Sequence, residues 1–207
     1  PSSPQARVLD IAAVAAWIAR QPRMADLVIA GNSVSSRNPA VQLDLGGYAK
    51  GRALDDAVAI LKVHGIKNAL VNIGGNVIAL GRRGDRPWRV GIQHPRKPGT
   101  LATLDLHDGE AIGTSGDYQR YFEAGGRRYC HLIDPRSGQP ASGMQSVTVL
   151  VHGTHAGTRS DALSKPLFIG GTRRLTDTAA QLGITAYLAV DASGKTHLSP
   201  DLAARLR

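Results

Sequence analysis

The segment RSDALSKPLFIGG, residues 159–171, sets one acid, Asp161, four positions before Lys165. On a helix those positions share a face, about one turn apart. Two chemistries compete there. The Asp161 carboxylate can hold an ion such as Mg2+, which commonly takes one or two carboxylates and completes its shell with phosphate and water. Alternatively the Lys165 ammonium holds the carboxylate, as an ordinary helix ion pair of small energetic value. A second candidate lies in YCHLIDPRSGQP, residues 129–140, where His131 ends an apolar run and Asp134 opens a polar turn closing on Gly138. His131 is either a proton-transfer group or a structural histidine, and Asp134 either a site acid or only a turn-starting side chain.

Three turns rich in glycine follow apolar runs: DLGGYAKG (44–51), NIGGN (72–76) and GTSGDY (113–118). Glycine lets the backbone approach a ligand and present bare N–H groups. The first turn precedes a helical pattern, where amides and the helix dipole suit a phosphate. Each turn alone is equally well explained as turn chemistry. Neither the GxxxxGK[ST] phosphate loop nor the GxGxxG dinucleotide fingerprint is present. Together these parts suggest a site for a phosphate-bearing ligand, with one histidine and one acid.

The elements that must position them are short. Residues 9–20 are expected to be helical, 26–30 and 41–45 to be strands, and Leu54, Ala57, Val58 and Leu61 to form a helix face closed by Gly65. Strands are expected at 69–73, 77–80 and 88–92, with a turn at 82–87. Residues 101–151 carry β signals, with turns at Asp108-Gly109, Gly125-Gly126 and 134–138. Helices are expected at 156–169 and 174–182, then a hairpin pairing 186–190 with 196–198. Strict βαβ alternation is absent, so the expected class is α+β with a mixed, mostly antiparallel sheet packed against helices.

The chain has 207 residues, 42% of them hydrophobic, which suffices for one domain or two small ones sharing an interface. Its longest apolar stretch, residues 9–19, falls short of the ~20 residues needed to cross a bilayer. A chain that opens on Pro1 without a signal peptide is expected to be a processed or trimmed product. Lys and Arg number 25 against 16 acids, a net charge of +9. Basic clusters such as Arg82-Arg83-Arg86-Arg89, Arg127-Arg128 and Arg173-Arg174 fit solvated turns, an anionic small ligand or an acidic partner. No aromatic stacking platform accompanies them, which disfavours nucleic acid. The single Cys130 excludes an internal disulfide.

The motifs LDLGGYAKGRALD, ALVNIGGNVIALG, AIGTSGDYQRYF, HLIDPRSGQPA and SVTVLV…SDALSKPLFIGG occur in order. Together they resemble the ApbE-type FAD:protein FMN transferases, over roughly residues 43–171. The resemblance implies a single ApbE-like domain over 1–207, T-fold-like in architecture and matching the C-terminal two-thirds of the family's usual length. It implies a periplasmic or membrane-anchored enzyme that binds FAD with Mg2+. Such an enzyme splits the pyrophosphate, joins FMN to a Thr or Ser hydroxyl of a membrane redox complex subunit, and releases AMP. By resemblance, His131 and Asp161 are catalytic, and Asp161 with the Ala49 carbonyl holds the metal. The cofactor contacts fall to Gly46, Gly47, Lys50, Gly51, Gly74, Gly75, Thr114, Ser115, Gly116, Asp117, Tyr118, His131 and Asp134.

Two departures from the family pattern stand out. Nothing before Leu9 resembles the family's N-terminal motifs. Lys165 occupies the position of a metal-binding Thr, with Pro166 next, so Asp161 and Lys165 are expected to pair and weaken or replace Mg2+. A non-catalytic FAD- or FMN-binding paralogue and a metal-dependent FAD pyrophosphatase are the alternative expectations.

Overall fold

The computed structural model describes residues 10–207. In chain order its elements are α1 (Ile11–Ala19), β1 (Leu27–Ala30), β2 (Ser33–Ser36), α2 (Ala49–Val63), β3 (Ala69–Ile73) and β4 (Asn76–Leu80). Then come β5 (Trp88–Gln93), β6 (Thr100–Leu106), β7 (Glu110–Gly116), β8 (Tyr121–Ala124), β9 (Arg127–Cys130), β10 (Ile133–Asp134) and β11 (Gln139–Pro140). The last are β12 (Met144–His152), α3 (Ala156–Gly170), α4 (Leu175–Gln181), β13 (Tyr187–Asp191), β14 (Thr196–Leu198) and α5 (Pro200–Ala203).

A six-stranded sheet in the order β14-β13-β12-β7-β4-β3 forms the centre, and its pairings are all antiparallel. Its inner strands β4, β7, β12 and β13 are buried on both faces, and alternation sorts their side chains between two cores. Val147, Val149 and Ala189 face α3 and α4, where Leu167, Phe168, Leu175 and Ala179 meet them. Val77, Ala79, Ile112, Leu188 and Val190 face the β5–β6 hairpin and Leu202 of α5. Helix α2 joins the first face through Leu54, packed with Ile78, Ala111 and Ala156. The expected α+β, mostly antiparallel class is the one observed.

The helix ends follow local chemistry. Gly65, at φ +75°, closes α2, with the Ile66 amide donating to Leu61 O and the Gly65 amide to Lys62 O. Gly183 closes α4 through the same pair of bonds, Ile184 to Ala179 O and Gly183 to Ala180 O. Helix α3 runs through Pro166 without interruption.

Two expectations need correction. Residues 41–45 are not a strand: they pair with no strand among the described residues, and the Asp44 carboxylate turns the chain by accepting from the Gly46 amide at 2.6 Å. A strand not expected from the sequence, Ser33–Ser36, pairs with β1 across the two-residue Gly31-Asn32 turn, with Gly31 at φ +57°. Its serines concealed the strand, because they lack the apolar alternation that marks one. The expected first helix begins at Leu9, which lies outside the described residues; its described part is α1.

Candidate active site

Helix α3 is placed by contacts that need bare backbone. A Cβ on Gly51 of α2 would sit 2.4 Å from Gly157 O, and one on Gly113 of β7 would sit 2.3 Å from Ser160 O. Glycine at both positions lets α3 lie directly on α2 and on β7. The carboxylate of Asp55, on α2, then caps α3 by accepting from the Gly157 and Thr158 amides, each at 2.8 Å, and from Thr158 Oγ1 at 2.6 Å. Farther along α3, Ser164 Oγ meets Ser115 Oγ of β7 at 2.8 Å.

This packing carries Asp161 into the junction of α2 and α3, where it is 1% exposed. A buried carboxylate must be compensated, and here the donors saturate it. Oδ1 accepts from Lys165 Nζ at 2.8 Å and Lys50 Nζ at 3.1 Å. Oδ2 accepts from the Gly51 amide at 3.1 Å and Lys50 Nζ at 3.4 Å. Lys165 Nζ also donates to the Asp161 carbonyl at 2.6 Å. Burial pushes the Asp161 carboxyl up, but Lys165, Lys50 and the Gly51 amide more than offset this and hold it below the usual carboxylate range. Burial also lowers the Lys165 ammonium, as does the nearby Lys50 charge, while Asp161 pulls the other way.

Above this triad opens a cleft of about 900 Å3. Its walls come from the loop before α2 (Asp44, Gly46, Gly47), Lys50 in the first turn of α2, Asn72 of β3 and the β3–β4 turn (Gly74, Gly75). Gly91, Ile92 and Gln93 of β5, Thr114, Ser115 and Gly116 of β7, and Tyr118, Gln119 and Arg120 after it also line the cleft. Val77 of β4, Ile112 of β7, His131, Leu132 and Lys165 complete the lining. His131 Nδ1 lies 3.1 Å from Arg120 O; a carbonyl only accepts, so Nδ1 carries the hydrogen and Nε2 keeps the basic lone pair. Partial desolvation lowers the His131 pKa; the hydrogen bond to Arg120 O opposes it, the Arg120, Lys165 and Lys50 charges add to the lowering, and the net effect favours the neutral ring.

Ten of the residues named in advance thus share one cleft: Gly46, Gly47, Lys50, Gly74, Gly75, Thr114, Ser115, Gly116, Tyr118 and His131. Others lie elsewhere. Gly51 serves the helix crossing. Asp134 is held in its own turn by Arg136, whose Nη2 donates at 2.6 Å. Asp117 accepts a fork from Arg96 at 2.7 and 2.6 Å. Ala49 opens α2, with its amide on Leu45 O at 2.8 Å. The β5 residues belong to none of the quoted motifs, and Gln119 and Arg120, though inside AIGTSGDYQRYF, were not among the expected site residues; the tertiary fold brings all of them to the cleft.

These residues do not fit a divalent ion. Among the described residues no three His, Cys, Asp or Glu side chains cluster. Both oxygens of Asp161 are committed to two ammonium groups and an amide. Bringing a further unit of positive charge to about 4 Å from either ammonium costs about 4 kcal/mol at an effective dielectric of 20. The cation position beside Asp161 belongs to Lys165.

The sequence profile of the ApbE family matches residues 2–188. The chain is 45% identical over 204 residues to the FAD:protein FMN transferase of Rhodobacter capsulatus, covering 99% of this chain and 38% of that protein. It superposes on the ApbE protein of Thermotoga maritima with a TM-score of 0.88 at 30% identity, covering 100% of this chain and 67% of that one. On the apo flavinyl transferase ApbE of Pseudomonas stutzeri the TM-score is 0.79 at 33% identity, covering 99% and 64%. The chain therefore spans well under half the length of the Rhodobacter relative and about two thirds of the two solved chains. Profile, identity and superposition all coincide with a cleft walled by the five quoted motifs, and the chain belongs to the ApbE family.

Proposed function

We propose that this chain provides the catalytic cleft of an FAD:protein FMN transferase. FAD lies in the cleft with its pyrophosphate over the Gly46-Gly47 and Gly74-Gly75 turns, near Lys50 and Lys165. The hydroxyl oxygen of an acceptor Thr or Ser attacks the phosphorus on the FMN side. That P–O bond forms as the bond to the AMP phosphate breaks, so FMN becomes a phosphoester of the protein and AMP leaves. Phosphoryl transfer of this kind is mostly positioning and neutralisation of charge on phosphate oxygens. The two ammonium groups supply neutralisation, and neutral His131 accepts the hydroxyl proton. As part of the proposal, the acceptor is a subunit of a membrane redox complex reached at the periplasmic face.

The observation that carries this reading is His131, its Nδ1 held by Arg120 O and its Nε2 left free to take a proton, sharing one cleft with Lys50 and Lys165 in a chain of this family. The chain is incubated with FAD and an acceptor protein bearing a Thr flavinylation site, then run on a denaturing gel. Covalent flavin fluorescence on the acceptor is expected. Free FMN without labelled acceptor identifies a pyrophosphatase and overturns the proposal; bound, unaltered FAD identifies a non-catalytic binder and does the same.

A further inference from the structure

We propose that Lys50, Asp161 and Lys165 form a metal-free diphosphate seat, in which the ammonium groups, rather than a divalent ion, take the oxygens of a pyrophosphate. The proposal rests on the transferase reading for the identity of the full ligand, but not for the chemistry of the seat. One carboxylate faces two ammonium groups, so the triad carries a net positive charge. Lys165 alone would compensate Asp161; Lys50 is the surplus, and its side chain is 35% exposed.

Donor capacity points the same way. An ammonium has three hydrogens. Lys165 spends two, on the Asp161 carbonyl and Oδ1, which leaves one for a ligand. Lys50 makes only long contacts, at 3.1, 3.3 and 3.4 Å, to Oδ1, Gly46 O and Oδ2. A phosphate oxygen, which bonds an ammonium at about 2.7–2.9 Å, offers it a better partner.

The glycine turns are shaped around these two stems. A Cβ on Gly47 would sit 2.6 Å from Lys165 Cε and 2.8 Å from its Cδ. One on Gly74 would sit 3.1 Å from Lys50 Cδ. Both lysines therefore thread beneath the bare turns that wall the cleft and line it themselves. Lys165 is locked on Asp161 as a fixed positive charge, and Lys50 is the group free to close on the anion.

Two measurements test the seat. Inorganic pyrophosphate is titrated calorimetrically in EDTA into the wild-type chain, Lys165→Met and Lys50→Gln. Wild type is expected to bind, and each substitution to weaken binding at least tenfold; Lys50→Gln serves should Lys165→Met fail to fold. Separately, Mn2+ is added to the wild-type chain with and without FAD and followed by electron paramagnetic resonance. The spectrum of the free ion is expected to persist. Absence of pyrophosphate binding in EDTA, or one tightly bound Mn2+ per chain, overturns the seat. Pyrophosphate binding that depends on the lysines, with no flavin transfer to the acceptor, overturns only the transferase reading.

Discussion

His131 is poised by its neighbours more than by its type. An imidazole serves as a general base only while neutral, and partial desolvation together with the Arg120, Lys165 and Lys50 charges keeps its pKa below the ordinary 6.5. The acid limb of the pH–rate profile for flavin transfer is therefore expected to lie below that of an ordinary imidazole, as the ring takes its proton. His131→Ala is expected to cost about 100-fold or more in transfer rate, the usual contribution of a positioned base, while FAD affinity changes little. Lys165→Met removes one cation and is expected to move the acid limb of the pH–rate profile upward. An acid limb that stays in place in Lys165→Met, measured under saturating FAD, would show that Lys165 does not act on His131. At this scale much was legible: His131, Asp161 and Lys165 were marked by residue type and motif. Asp134 and Asp117 were marked equally well, yet both are satisfied away from the cleft. Asp134 is held by Arg136, only two residues along the chain. Asp117 is held by Arg96, twenty-one residues away, beyond any local sequence signal.

Among the elements, helix and strand positions followed from periodicity, because burial on one face enforces it. What periodicity did not disclose was the purpose of the glycines. Gly113, in the GTSGDY stretch, reads as a turn where backbone meets ligand; its GTSG residues instead end strand β7, and Gly113 is where that strand meets the backbone of α3. Gly51 similarly belongs to the contact with Gly157 rather than to the cleft. Bare backbone at a helix crossing and bare backbone at a ligand look alike in one dimension. Only the partner distinguishes them, and the partner lies some fifty residues along for Gly113 and a hundred for Gly51. Gly113→Ala places a methyl 2.3 Å from Ser160 O, a backbone atom unable to swing aside. It is expected to lower unfolding free energy by about 1–3 kcal/mol, the cost of overpacking, as read by denaturant titration. It should also weaken pyrophosphate binding, since α3 carries Asp161 and Lys165. Stability equal to wild type would mean that α3 can lift from β7 without penalty.

At the scale of the molecule, the net charge of +9 was visible from the start, but not where compensation lies. Part of it fastens the C-terminus to the second core. Asp105 of β6 accepts from Arg89 Nε and Arg207 Nε, both at 2.8 Å, while Arg205 forks onto Glu110 with two bonds of 2.9 Å. The Arg207 amide completes the clasp on Thr103 O at 3.0 Å. The Arg89 guanidinium outweighs desolvation, and with Arg207 it holds the Asp105 carboxyl at about 2 against the ordinary 3.8. A carboxyl whose pKa is depressed on folding binds its proton more weakly in the folded than in the unfolded chain. Its contribution to stability is therefore present in full above pH 3.8 and is lost as pH falls toward 2. Both guanidinium groups are largely exposed, so salt screens the pairs and the effect is modest. The wild-type melting temperature is expected to fall more steeply than that of Asp105→Asn between pH 4 and pH 2, because only the wild type has this proton to take up. The two curves should converge at the acid end of the range, and raising salt should narrow the gap at its upper end. Parallel curves across the range would mean that Arg89 and Arg207 leave the Asp105 proton affinity unchanged by folding, and that the C-terminal clasp is held by the Arg205–Glu110 fork and the backbone bonds alone.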